Sequence, residues 1–181
     1  FHVAQAGTPG PVVVVLPEDI LYGASDAEPL GPRKKAVTGP SAADKAQALE
    51  MLRSAQRPLV VAGGRLHGAQ ALGDFTKFAE EFQLPVATSQ RRFHVFDSRH
   101  PNAAGRLFNR APGEMLEAMK ESDLLLVLGE RIGPSMSQGF TFPRAPKPDQ
   151  PMIHVWPSTE EVGRNYEPEL GIGCDPHEFI K

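Results

Sequence analysis

The sequence predicts an α/β fold, a parallel sheet enclosed between helices. Three observations carry this. Strand patterns alternate with helix patterns along the chain, which is the signature of βαβ units. The strand patterns are short and apolar throughout, as expected where helices cover both faces of a sheet. The 17 glycines and 18 prolines make about a fifth of the 181 residues, against roughly 12% on average. They show no period, so the excess marks many loops and excludes a collagen-like repeat.

Val12–Leu16 is a β-branched run between Pro11 and Pro17 and reads as a buried strand. With no partner strand nearby, it is expected to pair with a sheet edge or a second copy. From Glu18 to Pro40 the chain is polar and rich in breakers, including Gly23, Pro29, Gly31, Pro32 and Gly39, which reads as a linker with a domain boundary near residue 40. The expected organisation is therefore a strand of a preceding domain in residues 1–20, a linker in 21–40 and the main domain in 41–181.

Ser41 opens a helix, with Asp44 in the Glu place of a capping box. Ala48, Leu49, Met51, Leu52 and Ala55 form its apolar stripe. After Pro58 comes the strand Leu59–Ala62, running into Gly63 and Gly64. Leu72, Phe75, Phe78, Ala79 and Phe82 recur at helical spacing. Val86–Ser89 is a second strand. A loop rich in Arg and His reaches Pro101, and Ala103–Leu107 is a short strand. Glu114–Glu121 reads as a helix and Leu124–Leu128 as a strand ending in Gly129-Glu130-Arg131. A proline-rich loop spans Pro134–Pro151, then a strand covers Met152–Trp156. Thr159–Gly163 is expected to be a short helix. Leu170–Cys174 is the last strand, and Asp175 caps a terminal helix.

Composition excludes several functions. With 19 Lys+Arg against 22 Asp+Glu the net charge is −3, so no global basic footprint points to nucleic acid. The apolar runs are far too short to span a bilayer. Cys174 stands alone, which leaves no disulfide framework and no cysteine zinc cluster; its place at a strand end suits a buried, inert thiol. No signal peptide precedes the chain, so the expectation is a cytoplasmic protein. Phe1 opens the sequence without a methionine and Lys181 falls inside a helical pattern, so a piece of a longer protein is expected.

Two constellations can carry chemistry. Gly63-Gly64-Arg65-Leu66-His67-Gly68 follows a strand and opens a helix. Glycines there let a backbone approach a diphosphate, and a helix N-terminus supplies free N–H groups. The spacing is not G-x-G-x-x-G, and the second strand ends in Thr88-Ser89-Gln90 without an acid for a ribose hydroxyl. A tight turn with nothing bound and a phosphate site both remain open. The second constellation is Gly129-Glu130-Arg131-Ile132-Gly133, also at a strand end, where ligands of open parallel sheets bind. Arg131 can hold a phosphate by a bidentate contact or pair structurally with a glutamate. Arg91, Arg92, His94, Arg99 and His100 crowd one loop, suited to an anionic ligand or to acids of a neighbouring subunit. The six histidines show no metal-ligand spacing; His154, in an apolar strand, reads as a satisfied core residue. There is no nucleophile elbow, P-loop or pair of acid/base carboxylates.

Taken in order, the segments resemble a known family. Ala4–Ile20 (AQAGTPGPVVVVLPEDI) resembles the end of the pyrimidine-binding domain of thiamine-diphosphate enzymes. Arg57–Gly64 (RPLVVAGG), Leu84–Ser89 (LPVATS), His100–Leu107 (HPNAAGRL), Ser122–Gly133 (SDLLLVLGERIG) and Ile153–Tyr166 (IHVWPSTEEVGRNY) are similar to the central domain of its acetolactate-synthase-like branch. The resemblance implies a Rossmann-like, three-layer α/β/α domain with a six-stranded parallel sheet, for which the order 3-2-1-4-5-6 is expected. It implies a parent enzyme acting on 2-oxo acids by C–C bond formation or decarboxylation. Thiamine diphosphate and Mg2+ would lie outside these residues, between the outer domains of paired subunits. The partners implied are those two outer domains, a second subunit and a small-molecule substrate, with no nucleic acid and no membrane.

In some members the central domain binds FAD or ADP, and in others neither. Here Trp156 and Ser158 stand where acids of the FAD-binding members fall, and the loop after Thr88 is bulky and basic, so no tightly bound flavin is expected. A small anion, a CoA-like adenylate or an empty site fits better. The expected contacts of any such ligand are Gly63, Gly64, Arg65, Thr88, Gly129, Arg131 and Ser158. No catalytic or metal-binding residue is expected. Two other classes stay open: a non-catalytic nucleotide-binding or assembly module, and a dinucleotide-binding oxidoreductase domain.

Overall fold

Six parallel strands form one sheet in the order β3-β2-β1-β4-β5-β6, as expected from the sequence. The computed structural model describes residues 1–31 and 36–181. The strands are β1 (Pro58–Ala62), β2 (Val86–Ser89), β3 (Ala103–Leu107), β4 (Leu124–Leu128), β5 (Met152–Trp156) and β6 (Leu170–Gly173), and the helices are α1 (His2–Gln5), α2 (Glu18–Leu21), α3 (Ala42–Ser54), α4 (Ala69–Glu81), α5 (Gly113–Glu121) and α6 (Pro176–Phe179).

The chain divides into two units, Phe1–Ala36 and Val37–Lys181. Among its described residues the first holds α1, α2 and irregular chain. Val12–Leu16 forms no strand, and its side chains are exposed, Val13 at 87% and Val15 at 81%. A strand is a pairing and not a property of its residues: a β-branched run makes one only where a neighbour accepts its N–H groups and covers its faces, and among the described residues no strand pairs with it. The expected linker over 21–40 falls partly outside the described residues.

In the second unit the apolar strands are explained by alternation. Val60, Ala62, Val86, Leu126, Leu128, Ile153 and Ile172 turn to one face, where they meet Ala48 and Leu52 of α3, Phe75, Phe78 and Ala79 of α4, and Phe179 of α6. Leu59, Val61, Ala87, Leu125, Val127 and Met152 turn to the other face, against Met115 and Met119 of α5, with Ile132, Met136 and Tyr166 from loops. Successive residues of a strand point to opposite sides, so a strand covered on both faces is apolar at most positions, with buried Thr88, Ser89 and His154 as the polar exceptions. The result is three layers.

The helix caps follow the sequence. Ser41 Oγ accepts the Asp44 N–H at 3.1 Å, and the Asp44 carboxylate accepts the Ser41 N–H at 3.3 Å, a full capping box. Asp175 accepts the His177 N–H at 2.8 Å. Thr159–Gly163, expected to be helical, is a series of turns. Bonds from Glu161 N–H to the Ser158 carbonyl and from Arg164 N–H to the Glu161 carbonyl close it in three-residue steps, and Gly163 turns left-handed at φ +84°.

Asp123 ties α3 to β4. Its carboxylate accepts the Gln56 and Arg57 N–H groups at 2.7 and 2.9 Å. Burial pushes this carboxyl up, and the backbone N–H bonds from Gln56, Arg57 and Asp123 itself more than offset that, so its pKa is lowered. A depressed carboxylate stabilises the fold above its unfolded value, near ~3.9, and loses the effect as pH falls through the folded value. Asp123→Asn is therefore expected to lower the urea midpoint at neutral pH and to match the parent chain in strong acid. An equal difference at both ends of the pH range would show that the charge is not what matters.

Cys174 is buried, and burial, followed by the negative fields of Asp175 and Asp44, pushes its thiol up to about 12. The thiolate is the reactive form. A disulfide reagent at neutral pH is expected to titrate no thiol until denaturant is added; fast labelling of the folded chain would contradict the burial.

Candidate anion site at the strand ends

The chain winds from β1 outward to β3, then returns to the other side of β1 and continues from β4 to β6. The strand order reverses between β1 and β4, so the crevice of this fold opens at their C-terminal ends. Gly63, Gly64 and Gly129 stand there.

Two of the backbone donors in that turn are committed. The Gly63 N–H donates to the Leu128 carbonyl at 2.9 Å and the Arg65 N–H to the Gly129 carbonyl at 3.2 Å. Gly63 is required by that closeness, because a Cβ there would lie 2.7 Å from the Glu130 Cα. At Gly64 a Cβ would lie 2.7 Å from Cδ and 3.1 Å from Cζ of Arg92. The basic loop after β2 thus lays one guanidinium against the glycine turn. The helix that follows starts later than the sequence suggests. The turn continues to Gly68 at φ +87°, and α4 begins at Ala69.

Arg65 and Arg131 both lie over the Trp156 indole, with Cζ 5.0 and 5.5 Å from its centre. Burial, then repulsion from Arg131 and Arg92, lowers the Arg65 pKa, and the nearby acids Asp175 and Glu130 do not offset this. Three cationic groups therefore converge on one turn. Arg131 is partly neutralised by Glu161 at 3.3 Å, which also holds Arg164 at 3.0 Å, so the structural pairing weighed from sequence is present. Neither Arg65 nor Arg92 forms an ion pair among the described residues.

The expected site residues are only partly brought together. Gly63, Gly64, Arg65, Gly129 and Arg131 share the crevice. The Thr88 hydroxyl is 3.5 Å from the Gly105 carbonyl of β3. Ser158 spends its Oγ on the Glu160 N–H of its own turn. Arg99 pairs with Asp97 at 3.0 Å and His100 with Glu80 at 3.1 Å, so these two find acids within the chain. His154 is 6% exposed, its pKa is lowered by burial, and its Nε2 is 3.0 Å from the Glu130 carbonyl, where it donates. It is the satisfied core histidine that its strand suggested. Sequence reasoning missed the placement of Arg92 on Gly64, of Glu161 on Arg131, and of both arginines on Trp156. These are contacts between segments far apart in the chain, and no local spacing signals them.

In this turn the Gly63 and Arg65 N–H groups donate to the Leu128 and Gly129 carbonyls, Arg92 lies against Gly64, and two guanidinium groups lie over the indole. Among the described residues, no group of three or more His, Cys, Asp or Glu side chains is placed to hold a metal ion, and no helix is long and apolar enough to cross a membrane.

A parallel sheet in this order with a crevice at its switch point defines the Rossmann-like class. The family described as thiamine pyrophosphate enzyme, central domain, matches residues 45–181, and the chain belongs to it. It is 27% identical over 190 residues to the acetolactate synthase of Arthrospira platensis, covering 99% of this chain and 32% of that protein. It is 33% identical over 133 residues to the acetolactate synthase isozyme 2 large subunit of Escherichia coli (strain K12), covering 73% and 24%. It is 30% identical over 125 residues to the sulfoacetaldehyde acetyltransferase of Alcaligenes xylosoxydans xylosoxydans, covering 69% and 21%. The chain therefore spans a third or less of the length of these curated relatives. It is acetolactate-synthase-like, and the family implies thiamine diphosphate.

Proposed function

We propose that the chain is the scaffold domain of a larger thiamine-diphosphate enzyme that acts on 2-oxo acids, joining or cleaving a C–C bond beside the carbonyl. The cofactor, when bound, supplies the electron sink for the carbanion. In this reading thiamine diphosphate and Mg2+ are held outside residues 1–181, by two outer domains and a second subunit, in the cytoplasm. The match over residues 45–181, with relatives named acetolactate synthase along nearly the whole chain, carries the reading. This chain contributes a rigid sheet and, at its strand ends, an anion crevice built on Gly63, Gly64, Arg65, Gly129 and Arg131, with Thr88 and Ser158 at its margin.

The test uses the complete parent protein supplied with thiamine diphosphate, Mg2+ and pyruvate. Acetolactate or a decarboxylation product is expected. No turnover of any 2-oxo acid, with the cofactor bound, would favour a non-catalytic assembly protein. The same preparation is expected to lack the visible absorbance of flavin; a yellow protein would overturn the reading of Trp156 and Arg92.

A further inference from the structure

We propose that the loops on either side of β3 form a docking surface, built on Phe93, Arg106 and Arg110, for a carboxylate-bearing segment of the parent chain outside residues 1–181. This rests on the larger parent protein proposed above. The surface lies at the edge of the sheet, where β3 has β2 on one side and no strand of the described residues on the other.

The first support is composition. Residues 86–110 hold five arginines, three phenylalanines, one acid and no lysine. Lysine and acids are the residues depleted where proteins meet, and arginine and aromatic side chains are the ones enriched there. The chain as a whole is acidic, with a net charge of −3, so this cationic stretch is local. Its one acid, Asp97, is taken by Arg99 at 3.0 Å. Arg106 and Arg110 are exposed and have no carboxylate in ion-pair reach among the described residues.

The second support is the way these side chains are held. Arg106 lies over the Phe93 ring, with Cζ 4.6 Å from its centre, and Phe93 is 39% exposed. Stacking uses the flat face of a guanidinium and leaves the N–H fork in its plane free for a carboxylate. Arg110 has φ +67°, a left-handed position that glycine or asparagine takes with less strain. Its turn is braced twice at the Phe108 carbonyl, which accepts the Ala111 N–H at 2.9 Å and the Gln138 Nε2 at 3.4 Å. A strained residue on a braced turn points to use of its side chain. The occupant is assigned to the parent chain on two grounds. This chain spans a third or less of its curated relatives, so most of the parent's carboxylates lie outside it. A covalently connected segment is also present at high effective concentration, so a small surface is enough to hold it.

The test is carbodiimide cross-linking of the complete parent protein with these arginines replaced singly by lysine. Lysine keeps the positive charge and supplies an amine, which the reagent couples to a carboxylate in contact with it. Arg106→Lys and Arg110→Lys are each expected to give a cross-linked peptide ending on an Asp or Glu outside residues 1–181. Arg99→Lys is the standard, expected to couple to Asp97 of its own loop, its partner at 3.0 Å. Adding Arg110→Glu to Arg106→Lys is expected to cut the yield of the Arg106→Lys link by about fivefold or more, because like charges then face each other. All three arginines are exposed, so the replacements leave the core intact, and thermal melting of each variant checks this. Mixing isotope-labelled with unlabelled protein tells a link within one chain, the expected result, from a link between copies. Links only between copies would assign the surface to a second subunit and overturn the proposal. Links only to acids within residues 1–181 would overturn it too, as would no link at either position while Arg99→Lys couples to Asp97. Turnover of pyruvate is measured separately, so failure here is distinguishable from failure of the enzyme reading.

Discussion

Replacing Phe75 with alanine is expected to cost the Val37–Lys181 unit about 3–5 kcal/mol. Its side chain is wholly buried and meets the edge of Phe96 at 5.5 Å and 68°. The ring lies in the layer between α4 and the sheet, among strand residues such as Val60 and Leu126, so its removal leaves a cavity that rigid β-strands cannot close. Domains are stable by roughly 5–15 kcal/mol in total, so the variant is expected to be near its unfolding threshold. Urea unfolding followed by circular dichroism measures the loss. Phe93 provides the contrast. It is 39% exposed with Arg106 stacked at 4.6 Å, and alanine there is expected to cost no more than about 1 kcal/mol. Similar losses at the two positions would mean that the aromatic layer under α4 is not the core it is described to be.

Gly63→Ala is expected to cost about 2–4 kcal/mol. The added methyl group would meet backbone, Glu130 Cα at 2.7 Å and the Gly129 carbonyl oxygen, and neither can rotate away. The ends of β1 and β4 must separate, which strains or breaks the bonds from Gly63 N–H to Leu128 and from Arg65 N–H to Gly129. Gly73, within α4, has open space where its Cβ would be, and alanine there is expected to stabilise by up to about 1 kcal/mol. Opposite signs for the two glycine-to-alanine changes are the result to look for in parallel melts. A neutral Gly63→Ala would show that the strand ends are looser than their distances indicate.

The sheet was legible in the sequence because its signals are local. Runs such as Leu124–Leu128, bounded by Asp123 and Gly129, state their own length and their two-sided burial. Ser41 and Asp44 announce a helix start within four residues. Where the reading failed, the deciding contact was not local. Thr159–Gly163 has residues tolerated in a helix, but Gly163 at φ +84° and the pairing of Glu161 with Arg131 and Arg164 hold it as turns. The candidate site was half legible. Glycines at the ends of strands identify a crevice in any open parallel sheet. That Arg92 would reach back to Gly64 depends on the path of the loop between, and Arg65 and Arg131 could be paired through Trp156 only after the order of the strands was known.

The bond between β1 and β4 also sets the timetable of folding. The two strands pair from Pro58–Leu124 to Ala62–Leu128, and the carboxylate clasp beside them joins Arg57 to Asp123 across 66 positions. A chain still being synthesised has β1, β2 and β3 well before β4 emerges. During that interval β1, the most apolar part of the growing sheet, presents a bare edge that other chains can join. Loop closure over such a span is slow compared with the formation of the flanking helices. The residues most exposed to misassembly at birth are therefore those that end up most deeply enclosed, and a nascent chain halted at Ser122 is the form in which a chaperone would find them.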